Sequence, residues 1–239
     1  MKIQDSVALV TGANRGLGLA FVQALLAAGV KKVYAAARDP SSINLSGVYP
    51  VKLDVTNPQD ILDIAKAYPD VNLLINNAGI IRGQAFVSEN AIQAARDELE
   101  TNFFGPLALS QAFAPILKQN GGGAIVNVLS VLSWVSMPVA ATYGASKAAA
   151  WALSNGLRVE LHNQGTQVLA LHVGYMDTDM AKGVHAPKAK PEDVARQVLE
   201  ALEAGKTEVL ADEFSAQIKQ GLSLPAGTLE MMLLTASNA

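Results

Sequence analysis

The sequence contains 239 residues, of which 50% are hydrophobic and 16% are charged, so it is long enough to bury a large core. Its 18 basic and 21 acidic residues leave no positive excess for binding phosphate backbones, which argues against a nucleic-acid-binding protein. The absence of cysteine excludes disulfides, thiolate metal sites and a cysteine nucleophile, and three scattered histidines give no sign of a metal cluster.

Short apolar runs alternate with helical patterns along the whole chain. In chain order, strands are predicted at 7–10, 32–37, 48–53, 71–75, 124–129, 167–172 and 208–210, and helices at 17–28, 58–68, 89–100, 104–118, 142–163 and 191–204. Continuous apolar strands indicate a parallel sheet covered on both faces. We therefore expect a Rossmann-like, doubly wound α/β fold with seven mainly parallel strands. No linker or repeat interrupts it, so residues 1–239 are predicted to form a single domain.

One long segment, residues 119–146, carries no charge and is the only candidate for a membrane span. Three successive glycines at 121–123 and Pro138 interrupt it, so it is better interpreted as a strand, a loop and the start of a helix. The N-terminus lacks the long apolar run of a secretory signal. We expect a soluble cytoplasmic protein that does not bind a membrane.

The first predicted strand ends in a glycine-rich turn, TGANRGLG at residues 11–18, which opens the first predicted helix. Glycines permit a tight turn and a close approach to a pyrophosphate, and the free N–H groups of a helix N-terminus attract anions. A tight turn without a ligand is the alternative. The candidate dinucleotide contacts here are Gly12, Asn14, Arg15, Gly16, Leu17 and Gly18.

This turn resembles the T-G-x-x-x-G-x-G fingerprint of the short-chain dehydrogenase/reductase family, and further motifs follow in the family's order. They are Asp54-Val55, N-N-A-G at residues 76–79, Asn102, Ser130, and the Y-x-x-x-K pair Tyr143 and Lys147. The resemblance covers residues 7 to about 180 and implies a carbonyl reductase that prefers NADP. It also implies cofactor contacts at Asp54, Val55, Asn77, Ala78, Gly79, Tyr143 and Lys147.

The choice of nicotinamide cofactor depends on the end of the second predicted strand. An acid there would bind the ribose hydroxyls of NAD, but this sequence has Arg38, whose guanidinium can pair with a 2′-phosphate. Arg15 supplies a second cation at the same end of the cofactor. The alternative is that Arg38 is a solvated loop charge. We expect NADP(H), because family members with arginines at both places usually prefer it.

The proposed catalytic residues are Asn102, Ser130, Tyr143 and Lys147. Tyr143 and Lys147 are four positions apart on a predicted helix and so share one face. We expect the lysine ammonium and the oxidised nicotinamide to lower the pKa of Tyr143, which would then donate the proton while NADPH supplies the hydride. Ser130 would polarise the carbonyl oxygen. By resemblance, Asn102 would hold a water beside Lys147; taken alone it could equally cap the following helix.

The sequence departs from the family after the sixth strand, where the usual P-G-x-V-x-T appears as Val173-Gly174-Tyr175-Met176-Asp177-Thr178. Gly174 and Thr178 remain as candidate cofactor contacts, but the rigidity that proline gives the loop is lost. The C-terminus also lacks the glycine-rich ending of many tetrameric members. By resemblance, we expect a homodimer through helices 104–118 and 142–163, with a tetramer possible. The seam would include Phe113, Ala148, Ala149, Trp151 and Ala152.

The substrate pocket is expected among segments outside the family's motifs. Its candidate residues are Ile80, Ile81, Leu132, Trp134, Met137, Tyr175, Met180 and His185. Most are apolar and no arginine clamp is evident, so we expect a small, neutral, apolar ketone or aldehyde. The segment 178–190 could form a mobile lid. The alternative is that some of these side chains only fill the core.

Two other functions remain open from the sequence. One is a non-catalytic NADP-binding regulator on the same fold, since a fold does not determine a function. The other is dehydration or epimerisation by the same four residues, although epimerases usually carry a larger C-terminal substrate domain. The sequence does not identify the physiological substrate, the product stereochemistry or the favoured direction.

Overall fold

The computed structural model describes residues 1–237. Its strands are β1 (Val7–Thr11), β2 (Lys32–Ala37), β3 (Tyr49–Lys52), β4 (Leu73–Asn76), β5 (Ala124–Val128), β6 (Gln167–His172) and β7 (Glu208–Leu210). Its helices are α1 (Gly16–Ala27), α2 (Pro58–Ala67), α3 (Ala91–Leu99), α4 (Gly105–Gln119), α5 (Ala141–Glu160), α6 (Pro191–Glu203), α7 (Glu213–Gly221) and α8 (Thr228–Ser237). Short 3-10 turns occupy several of the connections.

The seven strands form one sheet in the order β3-β2-β1-β4-β5-β6-β7, and every pairing is parallel. The order reverses beside β1, because the chain moves outward to β3 and then returns to place β4 on the other side of β1. This confirms the doubly wound α/β fold. Ligands in such sheets bind beyond the carboxyl ends of the strands at this reversal.

Alternate residues of each strand supply two separate cores. In β1, Ala8 and Val10 pack on the side of α1 and α6, whereas Val7 and Leu9 pack on the side of α2, α4 and α5. Successive side chains of an extended strand point to opposite faces of the sheet. Because helices cover both faces here, every position of a strand can be apolar. The helices therefore cover both faces, as the continuous apolar strands predicted.

The structure corrects two details of the sequence interpretation. The helices predicted at 89–100 and 104–118 are not separate, because a π-helical turn, Glu100–Phe104, joins α3 to α4. Phe113, predicted to lie in a dimer seam, is fully buried in the core beneath α4. Helices α7 and α8 were not predicted. Within residues 1–237, no helix combines the length and apolar character that a membrane crossing requires.

Candidate active site

The glycine-rich turn after β1 is bound tightly to the N-N-A-G segment after β4. The Thr11 hydroxyl oxygen accepts hydrogen bonds from the backbone N–H groups of Asn77 and Ala78, both at 2.9 Å. The Asn77 amide donates back to the carbonyl oxygens of Thr11, at 2.8 Å, and Gly12, at 3.2 Å. Two sequence motifs that lie 65 residues apart therefore form one rigid floor at the carboxyl edge of the sheet.

The backbone of this turn requires its glycines. Gly12 and Gly16 have φ values of +63° and +54°, a backbone conformation that residues with a Cβ rarely adopt. A Cβ on Gly18 would overlap with the carbonyl oxygen of Gly12, so the start of α1 can approach the turn only without a side chain. Arg15, at the N-cap of α1, provides no side-chain cap for the first N–H groups. The turn therefore fits the pyrophosphate of a dinucleotide.

The other residues of the predicted cofactor turn have different surroundings. Leu17 is buried in the core, so only its backbone could contact a ligand. Asn14 is half-buried, and the exposed guanidinium of Arg15 pairs with Asp179 at 3.2 Å. This ion pair connects the turn to the segment that follows β6. Thr178 is also adjacent, since a Cβ on Gly16 would lie 3.4 Å from its methyl carbon.

Arg38 and Asp54 lie close together at the ends of β2 and β3. Burial alone would raise the pKa of Asp54, but hydrogen bonds from the N–H and hydroxyl of Thr56, with the nearby Arg38 charge, lower it. Arg38 itself is exposed and Val55 is buried. An exposed cation at this position is free to pair with a phosphate.

The four predicted catalytic side chains are all buried and converge beyond β4 and β5. Ser130 follows β5, Tyr143 and Lys147 lie on α5, and Asn102 lies in the π turn between α3 and α4. The Lys147 ammonium donates to the carbonyl oxygen of Val128 at 2.8 Å and lies 5.7 Å from the centre of the Tyr143 ring. The side chain of Ser130 lies close enough to Tyr143 to lower its pKa.

Burial and neighbouring groups set the proton affinities of Tyr143 and Lys147. Burial raises the pKa of Tyr143, its hydrogen bond with Ser130 lowers it, and the negative charge of Glu98 raises it further, so the tyrosine is protonated at neutral pH. Burial lowers the pKa of Lys147 to about 8. The Lys147 ammonium faces the carbonyl oxygen of Val128. A protonated tyrosine is the form that donates a proton during carbonyl reduction.

Asn102 holds the segment that follows the N-N-A-G motif. Its amide nitrogen donates to the Ile80 carbonyl and the Ser146 hydroxyl, both at 2.9 Å, and its amide oxygen accepts from Ile80 N at 2.9 Å. Both hydrogens of the Asn102 amide are already used in these hydrogen bonds. A water at Asn102 would therefore have to donate to its amide oxygen. Asn102 does not cap a helix, because the helical backbone continues through it.

The loop after β6 is held by a residue that the sequence interpretation missed. Asp212 accepts a hydrogen bond from Gly174 N at 2.7 Å and caps α7 through Ser215 N at 2.7 Å. Val173 replaces the family proline, and its carbonyl oxygen accepts from Val131 N at 3.1 Å. Two hydrogen bonds therefore anchor this loop where the proline is absent. An acid before a helical pattern was the available signal for Asp212.

The predicted substrate residues fall into two groups. Leu132, Trp134 and Met137 are half-buried in the segment between Ser130 and Tyr143. The other group is solvent-exposed or partly so, and comprises Ile80, Ile81, Tyr175, Met180 and His185. The Trp134 ring stacks on His172 with its centre 3.7 Å away, so one of its faces is already covered.

Comparisons with known proteins agree with this geometry. A family model described as short chain dehydrogenase matches residues 6–189. Dehydrogenase/reductase SDR family member 7B of Danio rerio is 32% identical over an alignment of 242 residues, covering 87% of this chain and 77% of the relative. The 3-oxoacyl-[acyl-carrier-protein] reductase of Vibrio cholerae is 32% identical, with coverages of 77% and 79%.

A solved structure is similar over almost the whole chain. The short chain dehydrogenase of Burkholderia cenocepacia, crystallised in complex with NADP, is 42% identical, with a TM-score of 0.93 and coverages of 98% of this chain and 99% of that chain. A short-chain dehydrogenase from Streptomyces avermitilis is 27% identical with a TM-score of 0.83. The fold is thus that of these proteins.

Proposed function

Because the chain belongs to the short-chain dehydrogenase family, we propose that it reduces small, neutral, apolar ketones and aldehydes with NADPH, and oxidises the corresponding alcohols in reverse. It is an NADP-dependent oxidoreductase acting on CH–OH and carbonyl groups. The observation that carries the proposal is that Ser130, Tyr143 and Lys147 are buried together, with the Lys147 ammonium 5.7 Å from the centre of the Tyr143 ring. All the site residues lie along one sheet, which supports a single domain over residues 1–239.

The chain's own residues account for the proton chemistry. The carbonyl oxygen of the substrate accepts hydrogen bonds from the hydroxyls of Ser130 and Tyr143, which polarise the C=O bond. NADPH, when bound, supplies the hydride that adds to the carbonyl carbon. The proton of the Tyr143 hydroxyl then moves to the substrate oxygen, which completes the alcohol. Lys147 stabilises the tyrosinate and, with a pKa of about 8, is protonated at neutral pH.

The preference for NADP over NAD is supported by the two arginines. Arg38 is exposed beside Asp54, and Arg15 lies at the N-cap of α1, so both can reach a phosphate at the adenosine end. We expect Arg38→Ala to raise the KM for NADPH by about 10- to 100-fold, the usual cost of a lost charge-assisted hydrogen bond, with little effect on NADH. Lys31→Ala, an exposed cation at the opposite end of β2, is the control.

An apolar substrate is supported by the surface around the site. Ile81 is 40%, Tyr175 37% and Met180 52% exposed, so apolar side chains remain available for contact. In the segment that follows β6, Lys182 pairs with Asp179 at 2.6 Å. Ile81, Tyr175 and Met180 therefore offer apolar area to a substrate.

A homodimer is supported by an apolar groove between α4 and α5. The groove is lined by Phe103, Leu107, Ala149, Ala152, Leu153, Gly156, Leu157 and Glu160. Small residues there would allow the helices of a second copy to approach closely. Ala152→Glu places a charge in this groove, and we expect it to produce monomers in light-scattering measurements, whereas the wild type is dimeric. A tetramer in the wild type would revise the stoichiometry.

The proposed activity is tested by NADPH oxidation at 340 nm against a panel of apolar ketones and aldehydes, with NADH in parallel. We expect Tyr143→Phe to lose at least about 100-fold in turnover, because general acid catalysis contributes that much. Tyr49→Phe removes a hydroxyl from an exposed tyrosine at the start of β3 and is the matched control. Tight NADPH binding without turnover of any substrate would favour the regulator instead.

A further inference from the structure

Glu98 is a buried acid that has no role in the mechanism above. Among the described residues it is the only aspartate or glutamate that is buried, at 0% exposure. It lies on α3, one helical turn before Asn102, and its side chain contacts the segment of residues 80–84 that follows the N-N-A-G motif. Burying a carboxyl group is costly unless its oxygens are hydrogen-bonded. The partners of this carboxyl group therefore indicate its role.

One oxygen of the carboxyl group binds two successive backbone N–H groups. The Oε1 atom of Glu98 accepts a hydrogen bond from Arg82 N at 2.6 Å and another from Gly83 N at 3.0 Å. The Oε2 atom is buried and has no hydrogen-bond partner among the described residues. The contact between Glu98 and the segment is therefore made through a single acceptor atom.

Both ends of the segment are tied to the elements that carry the proposed catalytic residues. At its start, Asn102 binds the N–H and the carbonyl oxygen of Ile80, both at 2.9 Å. At its end, Thr142 on α5 accepts from Gln84 N at 3.2 Å and donates its own N–H to the Gln84 carbonyl at 3.1 Å. Glu98 binds the middle, so the segment forms a wall of the site that runs from the π turn to α5.

The middle of the segment is also where an apolar side chain is positioned. Gly83 has a φ of +61°, and a Cβ on it would lie 2.9 Å from the carbonyl oxygen of Val139 and 3.7 Å from Cγ1 of Ile81. The Ile81 side chain therefore lies against Gly83, and it is one of the exposed apolar side chains proposed to contact the substrate. Because the N–H of Gly83 is bound to Glu98, losing that bond would release the backbone that supports Ile81.

An ion pair gives the same segment a second attachment, and this one is weaker. The Nε atom of Arg82 lies 3.3 Å from Oδ2 of Asp97, but the two side chains are 58% and 35% exposed. Exposed ion pairs contribute little to stability, because water screens the charges and both side chains lose conformational freedom. The buried acceptor on Glu98 is therefore the stronger attachment of the two.

We propose that Glu98 is a positioning residue: by accepting the N–H groups of Arg82 and Gly83, it fixes Ile81 at the substrate site and so limits the size of ketone that the site accepts. The part concerning ketone size rests on the proposed function, because it requires turnover. The part concerning the anchor does not, since it concerns only backbone hydrogen bonds. A fixed wall contacts small ketones and excludes bulky groups, whereas a released wall does neither.

The experiment compares the wild type with three variants at a single pH. Glu98→Met removes the acceptor and nearly keeps the side-chain length, Glu98→Gln keeps one oxygen acceptor, and Asp97→Asn, the matched control, breaks only the exposed ion pair to the same segment. The first readout is hydrogen exchange of the Arg82 and Gly83 amides without substrate. The second is the ratio of kcat/KM for butanone to kcat/KM for acetophenone with saturating NADPH. Circular dichroism establishes that each variant is folded.

We expect Glu98→Met to accelerate exchange of both amides about tenfold or more, because each loses its hydrogen bond. The kcat/KM ratio should fall about five- to tenfold, because the released wall admits acetophenone and no longer contacts butanone. Glu98→Gln should match the wild type in both readouts, since one amide oxygen can accept both N–H groups, and Asp97→Asn should match it too. A loss of stability alone would lower both kcat/KM values by the same factor and leave the ratio unchanged.

Fast exchange of both amides in the wild type, or unchanged exchange in Glu98→Met, would overturn the anchor. Accelerated exchange with an unchanged kcat/KM ratio would overturn the role in specificity. A Glu98→Gln variant that behaves like Glu98→Met would show that hydrogen-bond acceptance is not what holds the segment.

If Glu98→Met does not fold, Glu98→Asp takes its place with the same expected changes, because its shorter side chain loses reach. Absence of turnover in the wild type would refute the proposed function and the role in specificity with it. The exchange of the Arg82 and Gly83 amides would still decide the anchor.

Discussion

Lys147, one of the proposed catalytic residues, is expected to lower the stability of the folded protein. The residue is 5% exposed, and burial lowers its pKa from 10.5 to about 8. A shift of about 2.5 units corresponds to roughly 3 kcal/mol, which is the cost of keeping the buried lysine protonated at neutral pH. Its hydrogen bond to the Val128 carbonyl offsets about 1 to 2 kcal/mol of this cost. Lys147→Met should therefore stabilise the protein by about 1 to 2 kcal/mol at pH 7 and abolish turnover.

The pH dependence has a defined sign. Between the folded pKa of about 8 and the unfolded value of 10.5, the unfolded chain holds the proton and the folded chain does not. Stability contributed by this group therefore rises with pH across that window. From pH 7 to pH 9.5, the wild type should gain about 2 kcal/mol relative to Lys147→Met, so that the advantage of the variant disappears.

Urea unfolding at pH 7 and pH 9.5, followed by circular dichroism, measures this difference. A change of 2 kcal/mol corresponds to a displacement of roughly 1 M in the urea midpoint. Lys66→Met, which removes an exposed lysine from the last turn of α2, is the control and should show no such dependence. The reasoning is refuted if Lys147→Met is no more stable than the wild type at pH 7 and the difference between them is the same at pH 9.5.

Three further predictions concern packing and the cofactor loop. Gly18→Ala should lower stability by about 1 to 3 kcal/mol and weaken NADPH binding, since its Cβ would overlap with Gly12; calorimetry with and without NADPH measures both. Asp212→Ala should raise the Kd for NADPH about tenfold in fluorescence titrations, because the Gly174 N–H loses its acceptor. Phe113→Ala should cost about 3 to 5 kcal/mol in urea unfolding, because this side chain is fully buried.

Much of the fold could be predicted because its signals are local. Each buried strand is a continuous apolar run, and the helices carry their own apolar faces and breakers, as Gly29 does after α1. The four proposed catalytic residues could be selected because their spacing resembles a family pattern. The carboxyl-edge rule for parallel sheets then indicated which ends of strands would meet.

Other features could not be predicted, because they depend on residues distant in sequence. The join between α3 and α4 was missed because Asn102 looked like a helix cap. Its side chain is instead hydrogen-bonded to Ile80 and Ser146. The anchoring of Gly174 by Asp212 joins residues 38 positions apart. The hydrogen bond from the Lys147 ammonium to the Val128 carbonyl joins residues 19 positions apart, and spacing on a helix does not reveal where an ammonium points.

The sequence by itself determined the order of strands and helices, the glycine turn and the residue types available for proton transfer, because backbone conformation and hydrophobic patterning act over a few neighbouring residues. Only the tertiary structure decided which of those residues are buried together and which charges act on one another. Burial and electrostatic interaction depend on distance in space, and the folding of the sheet brings Lys147 and Tyr143 to one water-poor site. That shared burial sets their proton affinities and, with them, the chemistry we propose.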